Sequence, residues 1–163
     1  MMRRLLRLGR DRRGAAVIEL ALAAPILAMM VIGVTDISIA YGQKLELEQA
    51  AQRAIEKVAQ TTGESTPEET IQKEAMCQYN GTEPDAQGIC PGAVTAGDVT
   101  VAYSLKCNGV VTAYSTDCTA GQTEIRYITA TVKDNYAPMF DLHFNTNEDG
   151  TYHLEGTAGV RVH

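Results

Sequence analysis

The feature that most restricts this chain is an apolar run from Ala15 to about Ala40, AAVIELALAAPILAMMVIGVTDISIA, interrupted by Glu19, Pro25 and Asp36. The 16 residues between the two acids carry no charge. About 20 helical residues cross a bilayer core, so residues 15–35 are long enough to span one. A carboxylate in such a run is unfavourable: insertion scales put an ionisable group at mid-membrane at about 2.5–3.5 kcal/mol, less near the interface. Glu19 therefore marks a functional position with a partner to be identified. Pro25 lacks a backbone donor and is expected to kink or loosen the helix.

Beyond Tyr41-Gly42 the helical pattern continues as GQKLELEQAAQRAIEKVAQ. Leu47, Ala50, Ala51, Ala54, Ile55 and Val58 fall on one side, with Glu46, Gln49, Arg53, Glu56, Lys57 and Gln60 elsewhere. One helix from Ala15 to Gln60, 46 residues, would measure about 69 Å. Its second half is expected to lay its apolar face on a globular part.

After a loop at residues 61–65, Thr66-Pro67-Glu68-Glu69 reads as a helix start, with Thr at the N-cap, Pro at N1 and Glu at N3. That helix is expected to end near Gln78, and the Gly- and Pro-rich stretch 79–97 to be a loop held by its cysteine. Strands follow. Val99, Val101, Tyr103, Leu105 and Cys107 alternate, Asn108-Gly109 signals a hairpin, and Val110–Tyr114 could return. Residues 123–133 form the longest β-rich run, broken at Tyr136–Phe140. A final hairpin is expected between 140–144 and Tyr152–Val162 around an Asp149-Gly150 turn. The fold class is α+β: a long N-terminal transmembrane and amphipathic helix packed on a small antiparallel β-sheet domain.

Charge divides the chain. The formal charge is −6, of which the first 14 residues contribute +5 (six arginines against Asp11), leaving −11 for the rest. An acidic body without a Lys/Arg-rich face argues against nucleic-acid binding, which needs clustered cations for phosphates. The basic tip suits the segment retained on the cytoplasmic side of an inserting helix. Cys77, Cys90, Cys107 and Cys118 all follow the apolar run, and an even count in an exported body reads as disulfides. Three connectivities are possible. Pairing of neighbours, Cys77 with Cys90 and Cys107 with Cys118, is preferred because each bridge then closes a short loop, worth roughly 3 kcal/mol in the chain-entropy model.

No other constellation carries chemistry. Residues 145–155 partly match a calcium loop, but position 1 is Asn145 and position 12 is Gly156, so a plain turn is preferred. His143, His153 and His163 lie on or beside strands and have no zinc-ligand spacing with the cysteines. No nucleophile elbow, P-loop or dinucleotide fingerprint is present. The expectation is a non-enzymatic protein with no metal and no cofactor.

Three readings compete for the N-terminal region. A secretory signal peptide would have an apolar core of about 7–15 residues and a cleavage loop, whereas this run is longer and flows into an amphipathic helix. A plain signal-anchor accounts for the basic tip and the span, but leaves Glu19 without a role. The third is a prepilin: Gly14 followed by Ala15-Ala16-Val17-Ile18-Glu19 looks like the type IV prepilin processing pattern. More closely, residues 10–60 resemble the N-terminal region of TadE-like pseudopilins of the tight-adherence (Flp) pilus. Those typically have an Arg-rich leader, a Gly, small residues, a glutamate, an apolar run with a proline, an acidic residue and an Ala-rich amphipathic helix. The family usually has an aromatic after the glutamate, where this chain has Leu20.

The resemblance implies a minor pilin that initiates, primes or caps Flp pilus assembly. Its expected partners are a prepilin peptidase, a sister pseudopilin, the major Flp pilin, an inner-membrane platform with its ATPase, and membrane lipid. It implies cleavage between Gly14 and Ala15, so that Glu19 becomes the fifth mature residue. The new α-amine at Ala15, of pKa about 8, could then pair with Glu19 of a neighbouring subunit, leaving neither charge alone in the bundle. The implied organisation is a cytoplasmic leader (1–14), a transmembrane helix continuing as an amphipathic one (15–60) and a periplasmic domain (61–163). The location is the inner membrane, with passage into an extracellular pilus on assembly. The alternative is an uncleaved single-pass periplasmic scaffold or binding protein.

Overall fold

The computed structural model describes residues 13–61, 66–140 and 146–162. Most of the basic leader, loop residues 62–65, the segment 141–145 with His143 and Asn145, and His163 lie outside the described residues. So does most of the expected strand 140–144.

Helix α1 (Arg13–Gln60) is 48 residues long and unbroken through Pro25, about 72 Å at the α-helical rise. The ring removes one ladder bond while the helical pattern on both sides persists. The C-terminal half buries the expected stripe: Leu47, Ala50, Ala51, Ala54 and Val58 expose no surface. Small side chains let the helix lie close on the sheet. Closest approach is at Gly156, where an added Cβ would run into the backbone of Leu47 and Glu48.

Helix α2 (Glu68–Asn80) starts one residue later than the sequence suggests, with Pro67 at the N-cap position. Pro67 has a helical φ of −60°, but its ψ of 140° keeps it extended. Thr66 is buried, its hydroxyl 3.0 Å from that of Thr61, which joins the start of α2 to the end of α1. The helix ends on Gly81, left-handed at φ 61°, whose N–H donates to the Cys77 carbonyl at 3.0 Å. Ile71, Ala75 and Met76 are its buried residues.

The strands β1 (Val99–Cys107), β2 (Val110–Thr112), β3 (Glu124–Tyr136) and β4 (Tyr152–Arg161) form one antiparallel sheet in the order β2-β1-β3-β4. Asn108 and Gly109, at φ 50° and 85°, make the tight turn between β1 and β2. Two lengths differ from expectation. β2 stops two residues short of Tyr114, and β3 runs three residues past Lys133 because β4 pairs with it from Tyr127↔Arg161 to Tyr136↔Tyr152. Among the described residues, β4 takes β3 as its hairpin partner. The Asp149-Gly150 turn is present, with Gly150 at φ 76°.

Alternation then decides the layers. Val99, Val101, Ile128, Ala130 and Val132 turn one face to the helices, sharing a core with Leu47, Val58 and Ile71. Thr131 and Thr157, paired on the other face, share a hydrogen bond at 3.0 Å. The arrangement is two-layered, helices on sheet.

The two disulfides are Cys77–Cys90 and Cys107–Cys118, the preferred pairing. Polar side chains complete each loop. Asn80 donates to the carbonyls of Cys90 (2.9 Å) and Val94 (2.8 Å) and accepts from the Val94 N–H (3.1 Å), and it packs so tightly that a Cβ on Gly92 would overlap it. Arg126 donates to the Tyr114 carbonyl (2.8 Å) and to the carboxylates of Glu124 (2.6 Å) and Asp117 (3.0 Å).

Candidate functional site: an apolar arm and its carboxylate clamp

Every side chain from Ala16 to Val31 is exposed. Leu22, Ile26 and Met30, for instance, leave 69%, 64% and 62% of their surface uncovered. None of the candidate spanning window is buried, unlike a core helix of a soluble domain, which hides its apolar face. This length of uncovered apolar helix fits a single-pass membrane anchor.

The residues singled out for processing and charge pairing lie on this arm. The Gly14-Ala15 bond falls in the first turn of α1, and Glu19 follows about one turn later, exposed among Val17, Ile18, Leu20 and Leu22. No described residue pairs with Glu19. The fold therefore carries a carboxylate on an apolar surface without a partner from the described part of its own chain. Pro25 lies between this carboxylate and the body.

At the other end of the arm stands Asp36, only 6% exposed. It occupies a position on the same side as Gln43, Leu47, Ala50, Ala54 and Val58, where an apolar residue would ordinarily sit. Its carboxylate accepts from the Tyr136 hydroxyl (3.1 Å), the Met139 N–H (3.0 Å) and the Phe140 N–H (3.3 Å). β3 ends at Tyr136, and Pro138 cannot donate to a ladder, so the chain turns here with free N–H groups that the carboxylate satisfies. Charge-assisted bonds of this kind are stronger than neutral ones. Burial, followed by the Asp36 hydrogen bond, raises the Tyr136 phenol above its ordinary range. Tyr152 stacks on Tyr136, ring centroids 6.3 Å apart.

From sequence, Asp36 is only a charge interrupting an apolar run. The signal that could have found it is its phase: counted back from Leu47 through Gln43 and Ala40, it lies on the buried stripe. Its partners, a hundred residues on, have no such signal.

Elsewhere the polar groups hold turns. His153 Nε2 lies 2.9 Å from Asp149 Oδ2, while Asp149 Oδ1 accepts from the Thr151 N–H (3.0 Å) and hydroxyl (2.8 Å). The His153 contact first, and then the Thr151 bonds, lower the Asp149 carboxyl to about 2. These bonds commit to the turn an acid that the calcium-loop reading would use. Tyr79 donates to Asp134 at 2.6 Å, and burial with this bond raises its phenol. Among the described residues, no group of three or more His, Cys, Asp or Glu side chains is placed to hold a metal ion.

Residues 14–55 match the family model of TadE-like proteins. The match covers the arm, the Asp36 position and most of the buried stripe, and stops before α2 and the sheet. No curated protein and no solved structure matches the chain. The family model therefore falls within the segment whose residues resemble the family, and the helical arm of this chain is similar to that of TadE-like proteins.

Proposed function

We propose that this protein is a minor pilin, or pseudopilin, of the Tad/Flp pilus, cleaved after Gly14 and held in the inner membrane by α1 until assembly. The carrying observation is Glu19, a carboxylate on an otherwise apolar exposed arm with no partner among the described residues of its own chain. A partner from a neighbouring subunit answers that cost. The α-amine created at Ala15 is cationic at neutral pH, and pairing it with Glu19 of the next helix favours one axial stagger between subunits. The remaining arm surface packs against lipid before assembly and against neighbouring helices after it. Ala21, Ala23, Ala24 and Ala28 allow close helix approach.

The body, α2 and the sheet with half of α1, acts as a non-catalytic interaction module outside the membrane. In this reading it engages the sister pseudopilin and the major pilin, while the peptidase, platform and ATPase act on the arm and its cytoplasmic side. Complementation of a deletion strain with Glu19→Ala tests the charge: anchored, folded protein is expected, with surface pili strongly reduced. Normal piliation with Glu19→Ala would remove the role assigned to it.

A further inference from the structure

Asp36 lies 20 residues beyond Ala16 on one continuous helix, about 30 Å along the axis, which is the thickness of a bilayer hydrocarbon core. The turn it holds is at the same height, because Met139 and Phe140 donate their N–H groups to its carboxylate at 3.0 and 3.3 Å. These two side chains are 68% and 40% exposed. On the helix itself, Ile37 and Tyr41 are 66% and 60% exposed, so the apolar surface of the arm continues past Asp36. Tyr136 and Tyr152 stack at the same end of the sheet. Aromatic and apolar side chains gathered at the end of a span are what the membrane interface selects.

Building on the reading of residues 16–35 as a membrane span, we propose that the turn 137–140 is a second lipid contact, its Met139 and Phe140 side chains inserted at the headgroup–acyl boundary. The occupant is lipid because the patch is continuous with the arm's apolar surface and level with its end. Two side chains would bind a membrane weakly on their own. Tethered beside an anchor, they bind intramolecularly, and a weak contact is enough to fix the orientation of the body over the bilayer. Asp36 is the positioning residue: it holds the turn down against the helix at the depth where lipid begins.

The chain contains no tryptophan, so one introduced reporter can be read without background. The test uses the full chain in phosphatidylethanolamine/phosphatidylglycerol vesicles, with bromines either near the headgroup end or near the ends of the acyl chains. Phe140→Trp is expected to show blue-shifted emission, quenched more by shallow bromines than by deep ones. Ile26→Trp, in the middle of the span, should show the reverse preference, and Val111→Trp, in the β1–β2 hairpin at the other end of the sheet, should not be quenched. Met139→Trp, which keeps both backbone donors, should repeat the Phe140→Trp result and guards against a local disturbance. If both turn reporters behave like Val111→Trp while Ile26→Trp is quenched, the anchor stands and the lipid contact is refuted. Blue-shifted but unquenched turn reporters would likewise overturn it in favour of a protein neighbour. If Ile26→Trp itself is unquenched, the span fails and this inference with it.

Discussion

Replacing Asp36 with alanine removes three hydrogen bonds from one carboxylate and tests how the body is fastened to the arm. The losses are unequal. Met139 and Phe140 donate from an exposed turn through part-buried bonds, so water in the hydrated headgroup region can take over part of what their N–H groups lose. Tyr136 is 6% exposed, and its hydroxyl would be left unsatisfied, which costs about 1–3 kcal/mol. Hydrogen bonds to a charged acceptor add about 1.5–3 kcal/mol each, offset in part because a carboxylate no longer has to be buried. The net expectation is about 2–4 kcal/mol, or a fall in Tm on the order of 10–20 °C for a body of this size. Asp36→Asn keeps one acceptor oxygen and should lose about half as much. Thermal unfolding of the full chain in micelles, followed by near-UV circular dichroism, measures this. Hydrogen exchange at Met139 and Phe140 should accelerate in parallel, while residues 16–35 remain helical. A Tm unchanged to within about 2 °C, with unaltered exchange at both amides, would refute the clamp.

Gly156→Ala places a Cβ against the backbone of Leu47 and Glu48. Neither helix nor strand can yield by moving a flexible side chain, so a loss of about 1–3 kcal/mol is expected in denaturant titration. Asn80→Ala removes three of the hydrogen bonds that hold the first disulfide loop. It should cost about 1–3 kcal/mol and raise protease sensitivity around residues 82–95 with both disulfides intact. The Asp149 carboxyl, lowered from 3.8 to about 2, favours the folded state above its unfolded value, and that contribution fades as pH falls from about 4 towards 2. Carboxyl NMR should place its midpoint near 2, as the lowered value implies, and His153→Ala should move it upward.

The long helix was legible because its signals are local and repeated: an uncharged run followed by apolar residues at three- and four-residue spacing. The strands were legible from alternation, and the Asn108-Gly109 turn from its left-handed preference. Neighbour pairing of the cysteines followed from short loop closure. What escaped depends on distant contacts. β3 extends to Tyr136 because Tyr152 arrives opposite it, which no property of residues 134–136 announces. Pro67 takes the N-cap position that Thr66 was expected to hold, because its ψ is extended. Asp36, Asn80 and Arg126 share one difficulty. Each is a polar residue whose role is set by backbone groups of another segment, and composition cannot show which groups those are. Glu19 is the converse case: its oddity was visible in the sequence, and the fold sharpens it by offering no described partner.

The central claim is that this arm is processed as a prepilin, and the N-terminus of the protein extracted from membranes tests it most directly. Intact mass and N-terminal sequencing should find a chain beginning at Ala15, with Glu19 as its fifth residue. A chain retaining Met1 would contradict processing and favour an uncleaved anchored scaffold, and a start near residues 41–43 would mean that the whole arm is a removed signal sequence.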